Sequence, residues 1–476
     1  MQSPMAQNQV KRCVVLLADG ARADVFSDLL SKGKLPEIQR WLAREGIHNA
    51  GVTSFPSTTG PGYLPFLTGS FPGTCNVPGI RWFDKAKFEN RGLSFDRYRS
   101  YVGPESFFMG RDMSSHIRTI FELVPESYSI FNPIARGATG FRNRTRYSRI
   151  WYWYYAHLTD RWNLPDEAAL TKTLQVLKKG CRFVFAVFPG IDEYSHLTHP
   201  HHEAVISRYV WLDEAVGIIA RFLEKQGDWK STQFWLVSDH GLSKTDRHFC
   251  VNTFLEKHDL PPFFYPLIFD KKGKRSANMV SGNGMTHIYF KNHDGWMRHT
   301  FRGELDRMAP NLLNDFLCEE AVDIIACRNS EGGVDVISRR GEASIRLNGH
   351  NVHYEVRGRD PFGYPALPKD LNPQKSLEAT IDSEYPDAPF QLAHLFTASR
   401  TGDVLLSAKP GYDLRLKYED PEHKASHGSL HKSHMMVPIL CNMPFGKRPA
   451  RTVDVFPTIL KSLGIPIPSY IDGVLL

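Results

Sequence analysis

Short unbroken apolar runs punctuate the chain, and each leads to an acidic residue. VVLLA, Val14–Ala18, is followed by Asp19; FVFAVF, Phe183–Phe188, leads through PGI to Asp192; FWLV, Phe234–Val237, leads through Ser238 to Asp239. Runs this short without a polar face suit parallel strands covered on both sides. Between the second and third, Val205, Tyr209, Leu212, Val216, Ile219 and Leu223 recur at steps of four and three. That spacing predicts an amphipathic helix, and strand, helix, strand predicts a parallel crossover. A further helix is predicted near PEIQRWLAREG, Pro36–Gly46, with proline in its first turn.

The pattern changes downstream. VDVIS, EASIRL and HNVHYEV alternate like short antiparallel strands separated by Gly, Asn and Arg. The predicted fold is therefore α/β, with a mostly parallel sheet sandwiched by helices and an inserted, smaller α+β cap. Residues 1–265 are expected to form the first part of the core, 266–396 the cap, and 397–476 the returning core. The stretch from the 80s to Leu164 reads as long and irregular.

Composition narrows the class. A chain of 476 residues with 42% hydrophobic and 23% charged positions is that of a folded globular protein. Its net charge of +7 is modest for the length. It accommodates an anionic substrate or membrane surface without calling for a nucleic acid polymer. Seven cysteines lack any CxxC pair, which argues against a disulfide framework. MQSPMAQNQVKR has no apolar signal core, and no apolar run is long enough to span a bilayer, so a cytoplasmic location is the default expectation.

The strand-end acids are the chemistry. In an open α/β sheet the carboxyl ends of the strands are where ligands sit. Asp192 brings His196 four residues on, on one helical face, and Asp239 brings His240 directly. HKASHGSLHKSHMMVPIL adds His423, His427, His431 and His434. Carboxylates with imidazoles and no thiolates favour a hydrolytic zinc or manganese centre. FPSTTGPGYLPFLTG, Phe55–Gly69, offers Ser57, Thr58 and Thr59 in a Pro- and Gly-rich turn before an apolar segment. A hydroxyl at a helix start is a natural place for phosphate, although the same cluster is also an ordinary cap.

Together LLADGARADVF, FPSTTGPGYLPFLTGSFP, FPGIDEYSH, VSDHGL, RTGDVLLSA, ASHGSL and RTVDVFPTILKSLGIPIP, in this order from Leu16 to Pro468, resemble the alkaline phosphatase superfamily. The closest branch is the type I phosphodiesterase/nucleotide pyrophosphatase one. The resemblance implies a phosphoric ester hydrolase using two divalent cations, zinc or alternatively manganese. It implies that Asp19, Thr59, Asp239 and His240 surround one cation, and that Asp192, His196 and His427 hold the other. Thr59 would be the nucleophile and form a phosphothreonine, with Ser57 and Thr58 as fallback hydroxyls. Arg22 matches an arginine of structural role, and His423, His431 and His434 read as surface residues. One departure stands out: where the branch carries an asparagine that donates to phosphate, this chain has Ile80 or Arg81. Arg81 is therefore expected to make the phosphate contact, as a bidentate charged partner.

FRNRTRYSRIWYWYYAHLTDRW, Phe141–Trp162, mixes arginines with aromatics. It suggests a nucleotide or lipid-like phosphoester and peripheral membrane contact, against a core-facing helix with a basic outer side. A sulfatase is excluded by the missing Cys/Ser-x-Pro-x-Arg run. A phosphomutase of the same fold and a non-catalytic metal-binding protein are the competing expectations.

Overall fold

The computed structural model describes residues 10–44, 46–90, 95–415, 422–446 and 448–476. Its central sheet has six strands in the order Ile47–Val52, Met436–Cys441, Thr232–Val237, Arg12–Ala18, Phe183–Phe188 and Ser127–Ile130. The last four are mutually parallel, and Met436–Cys441 runs antiparallel to Thr232–Val237. Each predicted apolar run is a strand with every residue buried or nearly so, because helices cover both faces. The 23-residue helix Glu203–Lys225 buries the six periodic positions that predict it. The α/β class with a mostly parallel sheet stands.

Two local expectations change. Pro36–Gly46 is a single α-helical turn, Pro36–Ile38, that widens into a π-helical stretch at Gln39–Ala43; Glu45 lies outside the described residues, as do residues 1–9 of the polar leader. The stretch read as irregular supplies the edge strand Ser127–Ile130 and the helix Ser148–Thr159. SYSI alternates polar and apolar residues as a strand does, but over only four positions, too few to stand out from its surroundings.

A second sheet of nine strands runs from Asp370–Leu371 at one edge to Pro262–Phe264 at the other. VDVIS, EASIRL and HNVHYEV supply adjacent antiparallel strands within it, Val334–Ile337, Glu342–Asn348 and Asn351–Arg357. Strands Pro262–Phe264 and Val404–Ala408, which flank the segment 266–396, belong to the same sheet. A buried ion pair ties this sheet to the earlier chain: Lys85 Nζ lies 2.8 Å from Asp403 Oδ2, with both side chains almost fully inaccessible. His299 Nδ1 approaches the other oxygen of Asp403 at 2.8 Å. Phe290 N–H donates to Asp403 Oδ2 at 2.8 Å.

Burial costs the Lys85 ammonium more than Asp403 returns, and its pKa falls below the usual lysine range. Burial alone would raise the Asp403 carboxyl, but Lys85 and His299 outweigh it and hold the pKa at about 2. This carboxylate therefore contributes stability that is present above its unfolded pKa of about 4 and is lost as pH falls toward 2. Lys85→Ala, which leaves a buried charge with one cation fewer, is expected to lower urea-unfolding stability by about 3–5 kcal/mol at pH 7. The deficit should shrink as the pH is lowered through that window. A variant as stable as the parent would show that the pair does not hold the second sheet in place.

Candidate metal centre

The first ligand candidates are placed by strand register. Ala18 pairs with Phe188 and Leu17 with Val237, so the three apolar strands end level at one sheet edge. Asp19, Asp192 and Asp239 leave that edge together, each no more than 5% exposed. Gly20 permits the crowding. It sits at φ +72°, and a Cβ there would stand 2.8 Å from Asp192 Oδ1.

His427 arrives by a different route. The strand Ser243–His248, just past His240, pairs antiparallel with Ala425–Ser426, matching Ser243 to Ser426. His427 therefore stacks on His240 with ring centroids 3.9 Å apart. His196 anchors the same segment from below, since its Nδ1 lies 2.8 Å from the Ala425 carbonyl. The turn joining Ser276–Ser281 to Met285–Phe290 holds the other side: His427 N–H donates to Gly282 O at 3.0 Å, and Gly284 N–H donates to His427 O at 2.7 Å.

Asp192, His196 and His427 bring one ligand atom each within 4.8 Å of one another, and so do Asp19, Asp192 and His240. Asp192 lies in both groups. Asp239 joins them, with Oδ2 3.2 Å from His240 Nε2. Asp192 Oδ1 and Asp239 Oδ2 are buried without a hydrogen-bond partner. Orphaned carboxylate oxygens among neutral-capable imidazoles are the donor chemistry that divalent cations need, so the residues fit such a group.

The three hydroxyls of the Pro-Gly turn separate cleanly. Ser57 Oγ donates to the Ser429 carbonyl at 2.9 Å, and Thr58 Oγ1 is buried without a partner. Thr59 Oγ1 lies 3.4 Å from Asp19 Oδ1 and 3.1 Å from His240 Nε2. The turn can press this close because residue 62 is glycine; a Cβ there would come within 2.9 Å of the Asp239 carbonyl oxygen. The segment that follows is a 3-10 turn, Pro61–Tyr63, and a five-residue helix, Leu64–Thr68, too short for a substantial dipole.

Arg81 is held by the second sheet and the strand beside it. Its guanidinium donates to Ser100 Oγ at 3.2 Å and to the Val280 carbonyl at 3.0 Å, and it lines a cavity of about 270 Å³ shared with Asn278 and Arg415. Arg22 donates to the Leu242 carbonyl and pairs with Asp24, as a structural arginine would.

Other residues correct the expectation of a histidine surface. His423 lies against His196, with ring centroids 4.1 Å apart and the rings tilted by 31°. His434 is 1% exposed and lies 2.8 Å from both Ser429 Oγ and Ser243 Oγ. His431 is half-buried and caps the helix Lys432–Met435 through the Ser433 N–H. Alternation along the extended segment puts residues 423, 425 and 427 on one face, a signal present in the sequence. Tyr63 was also not foreseen; its hydroxyl donates to Asp19 Oδ2 in a short contact.

The electrostatics are those of a crowded acid cluster. Burial, then the nearby Asp192 charge, raises the Asp19 carboxyl to about 8 against the opposing Tyr63 hydrogen bond. Burial and the Asp19 charge push Asp239 well up as well. Burial would raise Asp192 too, but the His196 imidazolium beside it holds that carboxyl well below the ordinary range. Against its own burial, His196 is raised by Asp192 to about 9. Burial lowers His240 to about 4 and His427 well below the imidazole range, so both rings are neutral at pH 7, the form in which an imidazole can take a cation.

The sequence model of a family described as type I phosphodiesterase/nucleotide pyrophosphatase matches residues 13–430. Among solved structures, murine ectonucleotide pyrophosphatase/phosphodiesterase 5, an inactive threonine-to-alanine variant in complex with AMP, is similar at a TM-score of 0.59 and 13% identity over 96% of each chain. Phosphonoacetate hydrolase from Sinorhizobium meliloti 1021 with phosphonoformate is similar at 0.58 and 13%, also over 96% of each. Human ectonucleotide pyrophosphatase/phosphodiesterase 5 gives 0.56 and 14% over 96% of each. At these identities the likeness is one of fold. No curated protein matches the chain in sequence.

A carboxyl raised to about 8 contributes stability that is fully present below its unfolded pKa and lost as pH rises through the folded one. Metal-free protein is therefore expected to melt at a lower temperature at pH 8 than at pH 5. Divalent cation should reverse the loss by binding only the folded form, and cation uptake near pH 7 should release protons. Calorimetry that finds a pH-independent melting temperature for the metal-free protein would contradict the burial of these acids.

Proposed function

The chain belongs to the type I phosphodiesterase/nucleotide pyrophosphatase family, and from that membership we propose a phosphoryl-transfer reaction centred on Thr59. It is a phosphoric ester hydrolase, and the family depends on a divalent metal site. The observation that carries the assignment is the contact of Thr59 Oγ1 with both Asp19 and His240, while Ser57 is hydrogen-bonded elsewhere and Thr58 is enclosed.

In this reading Asp19, Asp239 and His240 would hold one cation beside Thr59, and Asp192, His196 and His427 the other; zinc suits the N/O donor set best, manganese next. When bound, the pair supplies positive charge to the phosphoryl oxygens and to the departing oxygen. The chain's own part is positional. Asp19, fixed by Tyr63, and His240, fixed by the Gly241 carbonyl at 3.2 Å, keep the threonine oxygen at the sheet edge. Thr59 Oγ1 bonds to phosphorus as the ester P–O bond breaks and the alcohol leaves. Water then cleaves the phosphothreonine and restores the hydroxyl.

The substrate class is a small phosphoester, mono- or diester. A nucleotide is supported by AMP in the murine structure, and a lipid-like ester is the alternative.

Thr59→Ala is expected to lower hydrolysis of p-nitrophenyl phosphate and bis-p-nitrophenyl phosphate by several orders of magnitude, with bound metal unchanged by elemental mass spectrometry. His427→Ala is expected to lose bound metal along with activity. A Thr59→Ala enzyme retaining more than about a tenth of parental turnover would remove the covalent step.

A further inference from the structure

The helix Ser148–Thr159 inverts the usual arrangement of a surface helix. Tyr147, Trp151, Tyr154 and Leu158 recur at steps of four, three and four, and are 77%, 57%, 56% and 83% exposed. The same spacing on Glu203–Lys225 marks the buried side of that helix. Here the packed side is a separate set: Tyr152 and Trp153 lie against Phe131, with ring centroids 5.3 and 5.5 Å away. Phe141, on the preceding turn, is 90% exposed as well. Single exposed apolar residues are ordinary, but a contiguous aromatic stripe marks an interaction surface.

Charge selects the partner. Between residues 136 and 161 there are six arginines (136, 142, 144, 146, 149 and 161) and one acid, Asp160; Arg136 is paired with Glu122 at 3.1 Å, and Arg149 turns inward, so the outward charge comes from the other four. Arg146 is exposed beside the Tyr147 ring, its guanidinium carbon 5.3 Å from the centroid. Arg149 reaches inward between Phe107 and Trp153, 5.5 and 5.9 Å from their centroids, and so ties the neighbouring turn Gly103–Phe108 to the helix. On that turn Phe107 and Phe108 are each 39% exposed, and Glu105 is occupied with the Ser100 N–H at 3.0 Å. A second copy related by two-fold symmetry would set this arginine-rich face against itself. Anionic lipid headgroups meet the arginines, and tryptophan and tyrosine favour the headgroup level, where one end of the ring is apolar and the other wet.

We propose that the outward face of Ser148–Thr159, with Phe141 and the Phe107–Phe108 turn, lies on an anionic lipid surface. The helix that bears this face is tied to the helix carrying Asp192 and His196. Tyr194, on the helix Gly190–Leu197 that carries Asp192 and His196, donates its hydroxyl to the carbonyl of Asp160, which ends the aromatic helix, at 3.1 Å. Docking there brings the sheet edge close to the headgroup layer, and that consequence rests on the reaction assigned above. No helix among the described residues is long and apolar enough to cross a membrane, so contact through this face is of the peripheral kind.

The test is sedimentation of the full chain with vesicles of phosphatidylcholine containing about a third phosphatidylserine, and with phosphatidylcholine alone. The parent protein is expected to sediment with the anionic vesicles, weakly with the neutral ones, and less as salt is raised. Replacing Trp151, Tyr154 and Leu158 together by serine should weaken anionic-vesicle binding at least about tenfold while hydrolysis of p-nitrophenyl phosphate is unchanged. Arg146→Glu should weaken it in the same direction. Thr59→Ala should bind vesicles like the parent, so a failure of the catalytic assignment leaves the lipid face standing. Absence of vesicle binding, equal binding to neutral vesicles, or undiminished binding by the triple variant would each overturn the proposal. So would light scattering that finds a parental dimer dissolved by the triple variant, because the face would then belong to a second copy.

Discussion

Three carboxylates buried at one edge of one sheet are the constraint around which the molecule is organised. Unit charges 4 Å apart repel by about 4 kcal/mol at an effective dielectric constant of 20, and burial removes the water that would otherwise share the load. Burial first, and then the repulsion from Asp192, push the Asp19 carboxyl up to about 8. Only Asp192 has its own cationic partner, in His196. The other two have a tyrosine hydroxyl and a glycine N–H, which lessen the cost without cancelling it. A cluster of this kind is stable in two ways, by taking up protons or by taking up cations. The neutral imidazoles of His240 and His427, stacked at its side, favour cations.

The geometry that concentrates the charge also disperses its owners along the chain. Asp19, Thr59, Asp192, Asp239 and His427 come from separate segments, and only the parallel register of the central sheet levels the first strands. The last contribution is the most indirect. His427 reaches His240 because two residues, Ala425 and Ser426, pair with Ser243–His248, while a hairpin turn of the second sheet grips its backbone. The second sheet is thus mechanically part of the site. The buried Lys85–Asp403 and Arg451–Asp387 pairs, the latter at 2.6 Å, join segments far apart in the chain, and removing either partner would leave a buried charge uncompensated.

The parts of this plan legible in the sequence are those encoded locally. An unbroken apolar run followed by an acid states both a buried strand and what stands at its end, and a step of three and four states a helix. Asp19, Asp192, His196, Asp239 and His240 were therefore visible as candidates from pattern alone. His427 was singled out among four histidines only by resemblance, because its neighbours are decided by a two-residue strand pairing that no periodicity announces. His434 was misread as a surface residue for the same reason: its serine partners lie at positions 243 and 429. The choice of Thr59 over Ser57 and Thr58 depends on which way three adjacent side chains point in an irregular turn, which only the folded backbone decides. Arg81 is a further case. Its place after the turn invites a phosphate role, and the partners its side chain has in the fold, Ser100 and the Val280 carbonyl, come from segments that the local sequence does not announce.

Periodicity also has a limit of a different kind, visible in two helices of this chain. Glu203–Lys225 and Ser148–Thr159 both carry apolar residues at helical spacing, and one turns them to the core while the other turns them out. Spacing specifies that a helix has a side; it does not specify what covers that side. Flanking charge carries the missing information. The six buried positions from Val205 to Leu223 seat their helix against the sheet, whereas Ser148–Thr159 already seats itself through Tyr152 and Trp153 and keeps a second aromatic stripe beside arginines. A helix that has satisfied its packing and still presents tryptophan and tyrosine to the outside has a surface that water alone does not explain. Because Tyr194 joins the end of that helix to the segment bearing Asp192 and His196, whatever covers the stripe sits next to the chemistry.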